Sequence, residues 1–235
     1  MTTVLFVRHG LTALTGPVLT GWTPGVHLDE RGRGQVTALG ERLRGVPLAA
    51  VVTSPLERCR ETAEALLASR IPEPTLHVDE RLGEVRYGSW TGRELKDLRK
   101  EALWRVVQGH PSAAVFPEGE GLAAMAGRAT DAVRDWNARL GPDATYAVVS
   151  HADVIKALVA DALGLHLDGF QRIVVDPASL TVIRYADLRP FVVRVNDTGG
   201  GVEALIPRPA ARRGRGRRTS GPEAADAHVG GGAGG

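Results

Sequence analysis

Five side chains scattered along the chain could together move a phosphoryl group: Arg8, His9, Arg58, Glu84 and His151. Two guanidiniums suit a tetrahedral dianion, because the planar fork matches phosphate oxygens in pairs. The same charges stabilise a phosphoryl group in flight. An unprotonated imidazole is a competent nucleophile, and cations beside His9 disfavour its imidazolium. The departing alkoxide needs a proton. A carboxyl next to a bound phosphate dianion is raised in pKa by the like charge, so Glu84 can serve as the acid. The scheme requires no metal and no cofactor. Taken singly, each residue has a plainer reading: a solvated strand end for Arg8 and His9, a solvent-facing helix arginine for Arg58, a loop carboxylate for Glu84, and a capping or core histidine for His151. As a set on strand ends and adjacent loops, the catalytic reading is the stronger.

The elements that must position them can be read in order. Residues 3–7 form an unbroken β-branched and apolar run, predicting a strand buried on both faces. It stops on Arg8 and His9, where α/β sheets hold their chemistry, with Gly10 allowing a sharp turn. Residues 10–28 are a Gly-, Pro- and Thr-rich loop carrying Trp22, either a binding wall or a plug over the core. Asp29 reads as the N-cap of a helix to about residue 44, with Val36, Leu39 and Leu43 on its apolar face. A short strand over 48–53 ends on Ser54 and Pro55, read as N-cap and first residue of a helix over 55–69. Arg58 in that first turn opposes the helix dipole, which suggests an anion nearby.

A third strand is predicted at 75–78. The following loop mixes Glu84, Tyr87, Trp90 and glycines, a composition of binding loops. Helices are predicted over 93–107 and 121–140. Residues 145–150 repeat the first pattern, an apolar strand ending on His151, with a helix over 152–163. Three short strands are read at 172–176, 179–185 and 190–196, forming an antiparallel edge. Trp22, Tyr87, Trp90 and residues 108–121 are expected to shape the entrance to the site.

The chain has 235 residues, 43% hydrophobic and 24% charged, enough for one α/β domain with a tail. Its pI of about 9.0 is misleading. Beyond Pro207 stand six arginines (208, 212, 213, 215, 217, 218), with Glu223 and Asp226; removing them from the 29 cations and 27 anions leaves 23 and 25 for residues 1–206. The charge of that part is therefore no sign of a nucleic-acid-binding domain. From Thr198 onward Gly, Arg, Pro and Ala predominate, a composition that buries no core. Residues 198–235 are read as a disordered, solubilising tail, with nucleic-acid or acidic-surface contact as the alternative. The single cysteine, Cys59, permits no intramolecular disulfide, and no Cys/His cluster has zinc-site spacing. No apolar run approaches a membrane span and no leader pattern opens the chain. The expectation is a cytoplasmic protein with no membrane partner and an open oligomeric state.

The residues resemble the histidine phosphatase superfamily, in its phosphoglycerate-mutase-like branch, over residues 3 to about 197. Arg8-His9-Gly10 resembles the family signature. Thr20, Gly21 and Trp22, with Leu28 and Gly32, resemble the segment that follows it. The run from Ser54 to Thr62 resembles the helix of the second arginine, Glu84 to Gly92 the acid loop, and Val149 to His151 the second histidine strand. The resemblance implies a three-layer α/β/α sandwich with a mixed, mainly parallel sheet. It implies His9 as the phosphorylated nucleophile, Arg8, Arg58 and His151 as phosphate ligands, and Glu84 as proton donor. Thr20 and Gly21 stand where mutases contact substrate, Thr12 retains a hydroxyl, and Thr15 aligns with an asparagine of mutases. The chain departs from the pattern at Leu11, at Ala152, where glycine is usual, and at Asp153, which puts an acid near the pocket. The stretch between Glu84 and His151 is shorter than in mutases, which favours hydrolysis of a small phosphorylated metabolite. A phosphomutase, as in similar actinobacterial proteins, and a non-catalytic phospho-ligand module are the alternatives.

Overall fold

The structure is a computed structural model and describes residues 1–68, 70 and 73–199; the predicted tail beyond Gly199 lies outside the described residues. Its elements are β1 Thr2–Arg8, α1 Glu30–Leu43, β2 Ala50–Thr53, α2 Glu57–Leu67, β3 Thr75–Val78, α3 Leu95–Leu98, α4 Ala102–Gly109, α5 Leu122–Leu140, β4 Thr145–Ser150, α6 Ala152–Ala162, β5 Leu180–Tyr185 and β6 Pro190–Asp197. They build one six-stranded sheet in the order β3-β2-β4-β1-β5-β6. The pairs β2/β3, β2/β4 and β1/β4 are parallel, and β5 and β6 add the antiparallel edge. The expected three-layer architecture is the one found.

The central strands are apolar on both faces because both are covered. Leu5, Val7, Val51, Ala147 and Val149 pack with Leu39, Leu43, Cys59, Ala63 and Leu66 of α1 and α2. The alternate residues Val4, Phe6, Val52, Tyr146 and Val148 pack with Met125 and Ala129 of α5 and Ile155, Leu158 and Val159 of α6. Asp29 caps α1 as expected, its carboxylate accepting from Gly32 N at 2.7 Å.

Four local expectations are corrected. Residues 172–176 form no strand. Leu167–Arg172 is a 3₁₀ helix, and the chain after it folds across the end of β1, with Ala178 in the left-handed region at φ 56°. Its amide donates to Arg8 O and His9 O at 3.1 and 3.2 Å, and Val175 O accepts from Arg8 Nη1 at 2.8 Å. The apolar alternation there serves the core, since Val175 is buried. The predicted helix at 93–107 is broken into α3 and α4. The N-cap position of α2 is Leu56, without a side-chain cap, so Ser54 is left for another role. Gly10 adopts no left-handed turn; its lack of a side chain matters because a Cβ would stand 2.8 Å from Gly32 O of α1.

Candidate active site

Parallel pairing delivers the side chains. Arg8 of β1 stands in register with Ser150 of β4, so His9 and His151 leave the sheet as neighbours. Their ring centroids are 5.2 Å apart. Thr53 of β2 pairs with Val149, which places Ser54 on the far side of His151. The chain after β3 returns over these ends and supplies Glu84. Arg58 enters from the first turn of α2.

Arg8, His9, Arg58, Glu84 and His151 are all buried. His9 Nδ1 lies 2.8 Å from Gly10 O, and Arg58 Nε lies 3.3 Å from His9 Nε2. A carbonyl only accepts and a guanidinium only donates, so Nδ1 carries the proton and Nε2 presents its lone pair. Burial first, then the charges of Arg58 and Arg8, hold the ring's pKa well below its ordinary value. Arg58 Nη2 also donates to Gly21 O at 2.8 Å and approaches His151 Nδ1 at 3.4 Å. Its remaining nitrogen, Nη1, is buried and makes no hydrogen bond, which leaves a donor for an anion.

Ser54 Oγ lies 2.8 Å from His151 Nε2, and Glu84 Oε2 lies 3.8 Å from Nδ1. Burial first, then Arg58, His9 and Arg8 in that order, hold the His151 pKa well below its ordinary value. Glu84 is pushed up to about 7, by burial first and by the charge of Asp153 next, against the pull of its bond from Val85 N and of Arg58 and Arg8. The shift expected from a neighbouring phosphate thus adds to one already built into the fold. Burial lowers Arg8 to about 10, still a cation at neutral pH.

A narrow cleft opens in front of this group, about 380 Å³ when the solvent in its mouth is counted. Its wall includes Arg8, His9, Glu84, Thr15, Thr20, Gly21 and Leu95. Arg58 and His151 are not among its lining residues, although Arg58 Nε reaches His9 Nε2. Thr12 is absent from the wall; its hydroxyl bonds Thr15 Oγ1 at 3.0 Å. The expected entrance residues are elsewhere. Tyr87 and Trp90 are buried and pack on Phe116, at 4.9 and 5.3 Å between ring centroids. Trp22 is a clamp, its Nε1 donating to Glu84 O at 2.6 Å and its ring covered by Arg86. The large aromatics serve the core here because only burial satisfies their area. Val18 and Leu95, which do line the cavity, are unremarked aliphatics in the sequence. Ser54, read from sequence as a helix cap, is instead the partner of His151, and like His9 and His151 it directly follows a strand. Among the described residues no group of His, Cys, Asp or Glu has the arrangement of a metal site.

The sequence pattern of the histidine phosphatase superfamily (branch 1) matches residues 4–198. The chain belongs to that family. As a histidine phosphatase it is 29% identical over 179 residues to phosphoserine phosphatase 1 of Hydrogenobacter thermophilus, covering 73% of this chain and 81% of that one. A relative from Erwinia tasmaniensis that bears the name "Probable phosphoglycerate mutase GpmB" is 31% identical over 176 residues, with coverage of 74% and 80%. The solved structure of Bacillus stearothermophilus YhfR superposes with a TM-score of 0.77 at 29% identity, over 84% of this chain and 98% of that one.

Proposed function

We propose that this histidine phosphatase hydrolyses the phosphomonoester of a small metabolite through a phosphohistidine at His9. In the first step Nε2 of His9 attacks phosphorus, the bond to the ester oxygen breaks, and the Glu84 carboxyl protonates the departing alkoxide. In the second step water attacks phosphorus, its proton passes to the Glu84 carboxylate, and the nitrogen–phosphorus bond breaks. Arg8, Arg58 and His151 hold the phosphoryl oxygens throughout, with Nη1 of Arg58 the donor left over for them. Thr15, Thr20 and Gly21 contact the rest of the substrate, and Thr12 supports Thr15. The observation that carries this reading is the His9 imidazole, fixed by Gly10 O with its lone pair facing Arg58.

The catalytic unit in this reading is residues 1–197, acting in the cytoplasm, with residues 198–235 as a solubilising appendage. A phosphomutase outcome is the second reading, favoured by the name of the Erwinia relative. Release of inorganic phosphate from a panel of phosphorylated metabolites tests the first. Wild-type turnover lost in His9→Ala is the expected result, and retained turnover in that variant removes the mechanism.

A further inference from the structure

Glu84 stands on a loop, and a loop does not by itself hold a carboxyl in a productive direction. One peptide unit does so here. Glu84 Oε1 accepts from Val85 N at 3.0 Å, which ties the carboxyl to the peptide joining residues 84 and 85. The carbonyl of that same peptide, Glu84 O, accepts from Trp22 Nε1 at 2.6 Å and from Arg128 Nη2 at 3.0 Å. A peptide unit is planar, so fixing its carbonyl also fixes the direction of its N–H. The other carboxyl oxygen, Oε2, is left facing His151, 3.8 Å from Nδ1.

Arg128 reaches this peptide from α5 and grips more of the loop besides. Its Nη1 donates to Arg81 O at 2.6 Å and to Gly83 O at 2.9 Å. These carbonyls lie at the end of the 3₁₀ turn Glu80–Leu82, where a helix leaves carbonyls without partners of its own. Its Nε and Nη2 pair with Glu120, at 3.0 Å to Oε2 and 2.5 Å to Oε1. These bonds use all five N–H donors of the guanidinium. Glu120 in turn holds Arg86, its Oε1 accepting from Arg86 N at 2.9 Å and its N donating to Arg86 O at 2.8 Å. Arg128 is not among the residues lining the cleft, so its reach to the chemistry runs through Glu84. We propose that Arg128 is a positioning residue for the acid: with Trp22 and Glu120 it clamps the backbone on both sides of Glu84 and so aims the carboxyl at the departing oxygen. This deepens the proposed function and rests on Glu84 as the proton donor.

The test is Arg128→Met in the full chain, which keeps the apolar stem and removes the donors. Two readouts are taken. One is the ratio of kcat/KM between two esters on a single protein preparation. The first ester is an alkyl phosphate that the wild type hydrolyses, whose alkoxide must be protonated. The second is p-nitrophenyl phosphate, whose phenolate leaves without a proton. Loss of folded protein lowers both values alike and cancels in the ratio. The alkyl-to-aryl ratio is expected to fall about 10-fold or more in Arg128→Met, a part of what a general acid contributes. In a Glu84→Gln background the same substitution is expected to leave the ratio where it stands, because the acid it aims is already gone. The other readout is amide hydrogen exchange at Val85. It is expected to quicken about 10-fold or more in Arg128→Met relative to the amides of β1 and β4. A ratio unchanged by Arg128→Met, an equal fall in the Glu84→Gln background, or a Val85 amide as protected as in the wild type overturns the inference. If Arg128→Met does not fold, Arg128→Lys takes its place: one ammonium cannot span three carbonyls and Glu120, and the same outcomes decide. A wild type that hydrolyses neither kind of ester overturns the proposed function instead, while Val85 exchange still decides whether Arg128 holds that peptide.

Discussion

At His9 the burial of the ring and the two guanidiniums beside it act in one direction, keeping the imidazole unprotonated at neutral and mildly acidic pH. At Glu84 burial acts the other way on charge, keeping a proton on the carboxyl up to about 7. One desolvated corner therefore yields a base and an acid in complementary states. The sign follows for kcat/KM, which reports the free enzyme: the acid must be protonated, so kcat/KM holds below neutrality and falls as pH rises through about 7, with the kcat limb moved higher by the bound phosphate, while the His9 limb lies well below 6.5. A profile that instead rises through pH 7 contradicts this pairing. Glu84→Gln should lower kcat by about 10²–10⁴-fold, most for substrates with a basic leaving alkoxide. Arg58 reaches His9, Gly21 O and the vicinity of His151 with one guanidinium. A lysine offers no such fork, and Arg58→Lys should reduce kcat about 10²-fold with the protein still folded. Circular dichroism beside the kinetics separates that loss from unfolding.

The helices and strands matter here chiefly through where they stop. Strands β1, β4 and β2 end side by side and present His9, His151 and Ser54, and the chain after β3 closes over them with Glu84. Apolar runs ending abruptly on His9 and His151 are visible in sequence because burial on both faces leaves no polar residue in the strand. The cap at Asp29 is equally visible, being a local hydrogen bond. What stayed hidden depends on contacts between distant segments. Residues 172–176 alternate like a strand, yet their polar groups close the end of β1. Tyr87 and Trp90 sit in a loop that reads as a binding wall, and the core absorbs them. Gly32 is a further case, since a Cβ there would meet Leu11 O at 2.0 Å. Gly32→Ala should push the loop after His9 out of place, costing about 1–3 kcal/mol and lowering Tm by several degrees. Thermal melts that match the wild type would show that α1 does not set that loop.

Over the whole molecule, one sheet and its two helical layers place every charged side chain of the site within the part that matches the family, residues 4–198. The segment joining Glu84 to β4 is α3, α4 and α5 with short connections, and α3 contributes Leu95 to the cavity wall. On the proposed reading it is water, not a second alcohol, that resolves the phosphorylated histidine. Phosphate release should therefore outrun phosphoryl return to a second alcohol, and a coupled mutase assay should stay silent with or without added bisphosphoglycerate. The most direct measurement of the central claim is a rapid acid-free quench of wild-type protein during turnover of an aryl phosphate, followed by peptide mass analysis. The account predicts one alkali-stable, acid-labile phosphoryl group on the peptide containing His9, absent from His9→Ala. Turnover at full rate with no phosphorylated His9 at any quench time, or phosphate carried by another residue, would contradict it.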